Sequence, residues 1–85
     1  MKYENLIVER LEQIAGVKFN RPDWLNALSI DLMREIEMVT EEFQEDLETR
    51  VVVFTGQGQH FSAGADLRDP KRAVTSNASL LGKQR

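Results

Sequence analysis

The sequence predicts an α/β fold in which a β-hairpin is followed by a crossover helix and a parallel strand. Three observations support this prediction. Short runs rich in β-branched and apolar residues occupy positions 6–10 and 14–19. Apolar residues then recur at helical spacing from Ile30 to about Leu47, and a continuous apolar run follows at Val51 to Thr55. An apolar strand that is reached through a helix is typical of a parallel sheet covered on both faces.

Length and composition limit what the chain can be. It has 85 residues, a net charge of −3, one His and no Cys. We expect a single small domain over residues 1–85, and a domain of this size buries only about 60% of the surface of its unfolded chain, so its stability is marginal. The lack of Cys excludes a disulfide framework and a thiolate metal site, and a single His cannot form a His-rich metal site. No apolar run approaches 20 residues and no leader precedes the first strand, so we expect a soluble, cytoplasmic protein with no membrane partner.

The acidic residues are concentrated on the predicted helix between Glu35 and Glu48, whereas the basic residues are scattered. We interpret these carboxylates as a solvated helix face rather than as catalytic groups. Without a basic patch, nucleic acid is not an expected partner.

The predicted hairpin turn, Leu11 to Gln13, contains no residue that favours a positive φ, which is unusual for a tight turn between strands. The second strand ends before Pro22, since proline cannot donate to a β-ladder and keeps the preceding residue extended. A loop then leads to Ser29, a favourable N-cap residue, and Asp31 in the first helical turn suits the positive end of the helix dipole. The helix is the most strongly patterned element of the chain.

Beyond the apolar strand, glycines and small residues form a turn that leaves backbone amides pointing at a common place, an arrangement suited to an anion. A short helical turn is expected after Asp66, interrupted by Pro70. The polar tail from Ala73 to Arg85 is expected to be loop or weak helix.

The glycine pattern does not match the common nucleotide-binding motifs. Gly56 and Gly58 follow a strand, but Phe61 stands where a dinucleotide fingerprint has its third glycine. Gly82 and Lys83 lack both the leading glycine and the following Ser or Thr of a phosphate-binding loop. Neither a Rossmann site nor a P-loop is therefore predicted.

Two sequence blocks resemble the enoyl-CoA hydratase/isomerase (crotonase) family. Phe61-Ser62-Ala63-Gly64-Ala65-Asp66-Leu67, preceded by Val52-Val53-Phe54-Thr55-Gly56, resembles its F-x-A-G-A-D-[LI] segment. Asn20-Arg21-Pro22 with Leu25-Asn26-Ala27-Leu28 resembles its N-R-P-x-x-x-N-A-L block. The resemblance runs from about Leu6 to about Arg68, and it implies the N-terminal part of a crotonase (ClpP/crotonase-like) fold.

The resemblance implies an acyl-CoA thioester as ligand and an oxyanion hole of two backbone amides, one of them the N–H of Ala65. Such donors stabilise the negative charge that develops on the thioester oxygen as an enolate forms. Ala63, Gly64, Asp66 and Leu67 would lie along the path of the CoA and pantetheine arm, and CoA is part of the substrate, so no separate cofactor is implied. The alternative interpretation is an ordinary strand-to-helix turn with Asp66 as a cap.

By the same resemblance, Asn26, Ala27 and Leu28 would line the CoA entrance, mostly through main chain. Trp24 either packs or stacks on the adenine, and packing is the preferred interpretation. Arg21 is a weak candidate for a phosphate contact.

His60 has an unperturbed pKa near neutrality, which makes it a conceivable proton carrier. No carboxylate partner is fixed by the local sequence, and the family does not use this position for proton transfer, so we interpret His60 as a loop or packing residue. We expect Asp66 to be structural rather than a base.

The acid/base glutamates and the second amide donor of the family lie downstream of the F-x-A-G-A-D block, and no Glu follows Asp66 in this chain. We therefore expect an N-terminal fragment with half of the oxyanion hole, and its enzymatic activity is an open question. Relatives are typically trimers or hexamers. The alternatives are a non-catalytic acyl-CoA-binding or assembly module and an unrelated small α/β protein.

Overall fold

A computed structural model of the protein describes residues 3–71, and its elements follow the predicted order. Strand β1 (Leu6–Leu11) and strand β2 (Ile14–Phe19) form the hairpin, a 3₁₀ turn spans Pro22–Trp24, and helix α1 (Ile30–Glu45) leads to strand β3 (Val51–Gly56). The sheet order is β1-β2-β3, with β1 antiparallel and β3 parallel to β2. The predicted hairpin, crossover helix and parallel strand are therefore confirmed.

The hairpin turn is tighter than the sequence suggested. Strand β1 extends to Leu11, which pairs with Ile14, so only Glu12 and Gln13 form the connection. Glu12 adopts a φ of 56°, a conformation that costs a non-glycine residue about 1–2 kcal/mol. The register between the strands imposes the positive φ that a two-residue turn requires, although no residue there favours it.

Helix α1 begins where its N-cap predicts. The Ser29 side chain accepts a hydrogen bond from the Leu32 N–H at 3.1 Å, and Leu32 and Val39 are buried against the sheet. The helix ends at Glu45 rather than near Leu47, because the Asp46 carboxylate accepts from the Glu48 N–H at 2.9 Å and turns the chain towards β3. Leu47 is 95% exposed, so its expected place on the apolar helix face is wrong.

The Asp46 carboxylate predicts acid sensitivity. Hydrogen bonds from the Thr49 hydroxyl, the Glu48 N–H and Arg10 hold its pKa well below the ordinary value of 3.8. Because the pKa is lower in the folded state, this stabilisation is present above the unfolded value and is lost as the pH falls through the folded one. The free energy of unfolding of the wild-type protein should therefore fall more steeply below pH 3.8 than that of Asp46→Asn. Denaturant titrations of both proteins across that range measure this difference, and equal slopes would contradict it.

The core lies between α1 and the hairpin. It consists of Leu6, Val17, Phe19, Leu32 and Val39. The expectation that the last strand is covered on both faces is wrong for this chain, since Val51, Val53 and Phe54 are 51%, 43% and 41% exposed. One face of β3 meets the core through Val52, whereas Val51 and Val53 on the other face stay about half exposed in the described part of the chain.

The segment after β3 returns across the end of the sheet towards the 3₁₀ turn. The Gln57 N–H donates to the Phe19 carbonyl oxygen at 2.8 Å, and the Phe61 ring stacks on that of Phe19 with 5.1 Å between centroids. Pro70 does not interrupt a helix, since Pro70 and Lys71 are themselves helical and proline is well tolerated in a first turn. The expectation for residues 73–85 lies outside the described residues.

Within residues 3–71, no helix is both long and apolar enough to cross a membrane.

Candidate functional site

The two sequence blocks meet through a single parallel bridge between Leu28 and Ala65. The Leu28 N–H donates to the Gly64 carbonyl oxygen at 2.7 Å, and the Asp66 N–H donates to the Leu28 carbonyl oxygen at 3.1 Å. Successive amides in an extended chain point to opposite sides, so the intervening Ala65 N–H faces away from Leu28. Ala65 is exposed, and its N–H has no acceptor among residues 3–71.

The surroundings of this amide are open. Gly64 has a φ of 93°, and a Cβ atom added to it would meet nothing within 4 Å. The Gly64 N–H itself is occupied, since it donates to the Ser62 hydroxyl at 3.0 Å. An outward amide with no acceptor in the described range, beside a residue without a side chain, is an arrangement that can donate to a ligand oxygen.

Asn26 lies behind this segment and is fully buried. Its Nδ2 donates to the carbonyl oxygens of Gln57 and His60 at 2.9 and 2.7 Å, and its Oδ1 accepts from the Arg21 N–H at 2.8 Å. Its φ of 53° lies in the left-handed region that Asn tolerates better than most residues. The Asn26 side chain therefore joins the first sequence block to the loop after β3 and is not available to a ligand.

Arg21 connects the same two blocks from another side. Its Nη1 donates to the Ala27 carbonyl oxygen at 2.5 Å, and its Nη2 lies 3.1 Å from Asp66 Oδ2. The two side chains are only 15% and 8% exposed. Asp66 also accepts from the Arg68 N–H at 3.1 Å through its other oxygen. These contacts agree with a structural interpretation of Asp66 and leave Arg21 engaged inside the protein.

Trp24, for which packing was preferred to stacking on adenine, lies at the surface against two arginine side chains. Its side chain is 49% exposed, and the guanidinium groups of Arg68 and Arg21 lie 5.1 and 5.9 Å from its ring centroid. It borders a cleft of about 340 Å³ that Asp66, Arg68 and Asp69 also line. The 3₁₀ turn that carries Trp24 buries none of its residues. The Trp24 ring therefore stays at the surface, where the two guanidinium groups pack against it.

The candidate residues differ in how exposed they are. Ala63 and Leu67 are exposed, as is Ala65, whereas Ala27 and Asp66 are buried and Leu28 and Gly64 are partly buried. Ala63 donates its N–H to the Leu25 carbonyl oxygen at 3.0 Å, which adds a third link between the blocks. The structure thus brings all the candidate residues together, while only part of the set has a side chain or amide that can reach a ligand.

Asp69 links this site to the start of α1. Its Oδ2 accepts from the Ile30 N–H at 2.9 Å and its Oδ1 from the Lys71 N–H at 3.0 Å. The hydrogen bond from Ile30 is the main reason that the pKa of Asp69 is lowered. The local cap on the Lys71 N–H was recognisable in the sequence, because Asp immediately before Pro is a helix-start signal, whereas no sequence pattern indicates the contact with Ile30, 39 residues away.

The other titratable groups do not converge on Ala65. His60 is exposed, and its backbone oxygen is what Asn26 binds. The Glu35 carboxylate accepts from the backbone N–H and side-chain Nδ2 of Asn5 at 2.9 and 2.7 Å. Residues 3–71 contain no group of three or more His, Cys, Asp and Glu side chains able to hold a metal ion.

Comparison with known proteins agrees with the two-block resemblance. A family model described as enoyl-CoA hydratase/isomerase matches residues 9–84. The short-chain-enoyl-CoA hydratase of Clostridium acetobutylicum is 37% identical over 83 residues, which are 96% of this chain and 32% of that protein. A probable 3-hydroxyisobutyryl-CoA hydrolase of Arabidopsis thaliana is 35% identical over 80 residues, which are 94% of this chain and 21% of that protein.

Solved structures give the same result. A probable enoyl-CoA hydratase/isomerase from Mycobacterium abscessus superposes with a TM-score of 0.80 and 28% identity, over 88% of this chain and 29% of that one. The chain therefore spans about a third or less of the length of these relatives.

Proposed function

Since this chain belongs to the enoyl-CoA hydratase/isomerase family, we propose that it binds an acyl-CoA thioester and that the Ala65 N–H donates a hydrogen bond to the thioester carbonyl oxygen. The observation that carries the proposal is the outward amide of Ala65, which meets no acceptor within residues 3–71 and lies beside the open face of Gly64. A preorganised amide of this kind strengthens its hydrogen bond as negative charge develops on the oxygen.

In this proposal each part of the site has a separate task. The bridge to Leu28 orients the amide, the small residues Ala63 and Gly64 admit the ligand, and the segment Asn26 to Leu28 contributes main chain at the entrance. Proton transfer needs a further group, because the Asp66 carboxylate is already bound to Arg21 and to the Arg68 N–H. The second candidate function is acyl-CoA binding without turnover.

Replacing Ala65 with Pro tests the amide, because proline has no N–H. Crotonyl-CoA should bind the variant about threefold to tenfold more weakly, the value of one hydrogen bond of about 0.5–1.5 kcal/mol. Free CoA has no thioester carbonyl, so its affinity should not change. Calorimetric titration of both ligands measures the two dissociation constants.

Ala65→Ser is the matched control, since it alters an exposed side chain and keeps the N–H; it should bind both ligands as the wild type does. An equal loss of affinity for crotonyl-CoA and free CoA in Ala65→Pro would indicate general disruption and contradict the proposed contact. Detectable crotonyl-CoA hydration by the wild-type chain would decide between the two candidate functions in favour of an enzyme.

A further inference from the structure

The direction of the Ala65 N–H depends on the register of one bridge. Amides alternate in direction along an extended segment, so a shift of a single residue would turn the Ala65 N–H towards Leu28 and the Gly64 N–H away from it. The bridge is an isolated pair outside the three named strands, and a further backbone hydrogen bond beside it joins the Ala63 N–H to the Leu25 carbonyl oxygen at 3.0 Å. In so short a pairing, side-chain contacts on either side of the bridge contribute to the choice of register.

Arg21 has the geometry for this selection. Its two terminal nitrogens bind one group on each side of the bridge, the Ala27 carbonyl oxygen at 2.5 Å and Asp66 Oδ2 at 3.1 Å. Ala27 precedes Leu28, and Asp66 follows Ala65. The guanidinium group is a rigid planar fork, so the two acceptors are held at one relative position along the chain.

The backbone of Arg21 is fixed as well. Its N–H donates to Asn26 Oδ1 at 2.8 Å, and its carbonyl oxygen accepts from the Asn26 N–H at the same distance. The backbone N–H and carbonyl oxygen of Arg21 are both hydrogen-bonded, and its side chain is only 15% exposed. The guanidinium group therefore has little freedom to follow Asp66 if the bridge shifts. A shift of one residue would move Asp66 away from it and leave a largely buried guanidinium without its carboxylate partner, which is costly.

We propose that Arg21 is a positioning residue that selects the register of the Leu28–Ala65 bridge and thereby aims the Ala65 N–H at the ligand. That the Ala65 N–H meets a ligand rests on the proposed function. That Arg21 selects the register of the bridge does not depend on it. Arg21 does not contact the thioester in this arrangement; it acts through Ala27 and Asp66.

The test compares Arg21→Met, which keeps most of the side-chain stem, with Arg10→Met. Arg10 pairs with Asp46 and lies next to the hairpin turn, at the other end of β2 from Arg21, so the second variant removes a paired charge away from the site. Amide hydrogen exchange should become at least tenfold faster at Leu28 and Asp66 in Arg21→Met, and the amides of α1 should keep their protection. In Arg10→Met, exchange at Leu28 and Asp66 should be unchanged.

Ligand preference provides the second measurement. The ratio of the dissociation constants of free CoA and crotonyl-CoA should fall to about one in Arg21→Met and stay at the wild-type value in Arg10→Met. If Arg21→Met does not fold, Asp66→Asn removes the same ion pair with a side chain of the same shape, and the same two results are expected.

The two ideas fail separately. Unchanged exchange at Leu28 and Asp66 in the folded variant would overturn the role of Arg21, whatever the ligands do. A wild-type protein that does not prefer crotonyl-CoA to free CoA would overturn the proposed function, while the exchange measurement would still decide the role of Arg21.

Discussion

Replacing Asn26 with Ala should destabilise the protein by about 3 kcal/mol or more, a large part of the stability of a small domain. The change removes three side-chain hydrogen bonds from a fully buried position. Each of these hydrogen bonds contributes about 0.5–1.5 kcal/mol, and the change leaves the Arg21 N–H and the carbonyl oxygens of Gln57 and His60 without these partners. Alanine also tolerates the φ of 53° less well than asparagine.

Urea denaturation monitored by circular dichroism gives the free energy of unfolding for this comparison. His60→Ala is the matched control, because Asn26 binds the backbone oxygen of His60 and not its side chain, and it should change stability by less than about 0.5 kcal/mol. Asn26→Asp distinguishes the accepted hydrogen bond from the two donated ones. Aspartate keeps the oxygen that accepts from the Arg21 N–H. In place of the Nδ2 group that donates to the carbonyl oxygens of Gln57 and His60, it has a second oxygen that repels them. If Asn26→Ala stayed within 1 kcal/mol of the wild type, the proposed linking role of Asn26 would be wrong.

The second large effect is expected for Gly56→Ala at the end of β3. A Cβ atom there would lie 2.2 Å from the His60 carbonyl oxygen and 2.5 Å from the Phe61 carbonyl oxygen. Both atoms belong to the backbone, so the loop that leads to Ala65 must move away, at a cost of about 1–3 kcal/mol. The site is expected to lose its crotonyl-CoA preference, while α1 and the hairpin keep their structure.

Gly16→Ala is the control for this substitution. Gly16 also lies in the sheet, but its added Cβ atom would be 3.8 Å from the Glu9 carbonyl oxygen, an ordinary contact distance. Its stability and ligand binding should stay close to those of the wild type. Heteronuclear NMR spectra of the two variants locate the change, and a Gly56→Ala spectrum with wild-type shifts from Gln57 to Ala65 would contradict the clash.

The elements of the fold were predictable because each depends on neighbours in the sequence. The apolar spacing from Ile30 onwards, the Ser29 cap and the β-branched run after Arg50 act within a few residues, and all three predicted their elements. The expected double cover of β3 failed for a related reason. An apolar run shows that a strand favours burial, but it does not show whether the described chain supplies the covering layer.

The segment proposed to meet the ligand could also be located from sequence, since the two motif blocks are visible as residue patterns. The roles of its members could not. Asn26 was expected to line the CoA entrance mostly through main chain, and no sequence pattern indicated that its side chain would be buried and bonded to groups 31 and 34 residues away. Arg21 was considered for a phosphate, yet it binds Asp66, 45 residues further on.

The sequence by itself therefore determined the family, the order of the elements and the segment where an amide donor is expected, because spacing, capping and motif are local properties of the chain. Only the tertiary structure decided that the Ala65 N–H points outward and that Arg21 and Asn26 hold the loop behind it. The direction of an amide depends on the register of a distant pairing, and that register is selected by side chains that meet only after the chain has folded.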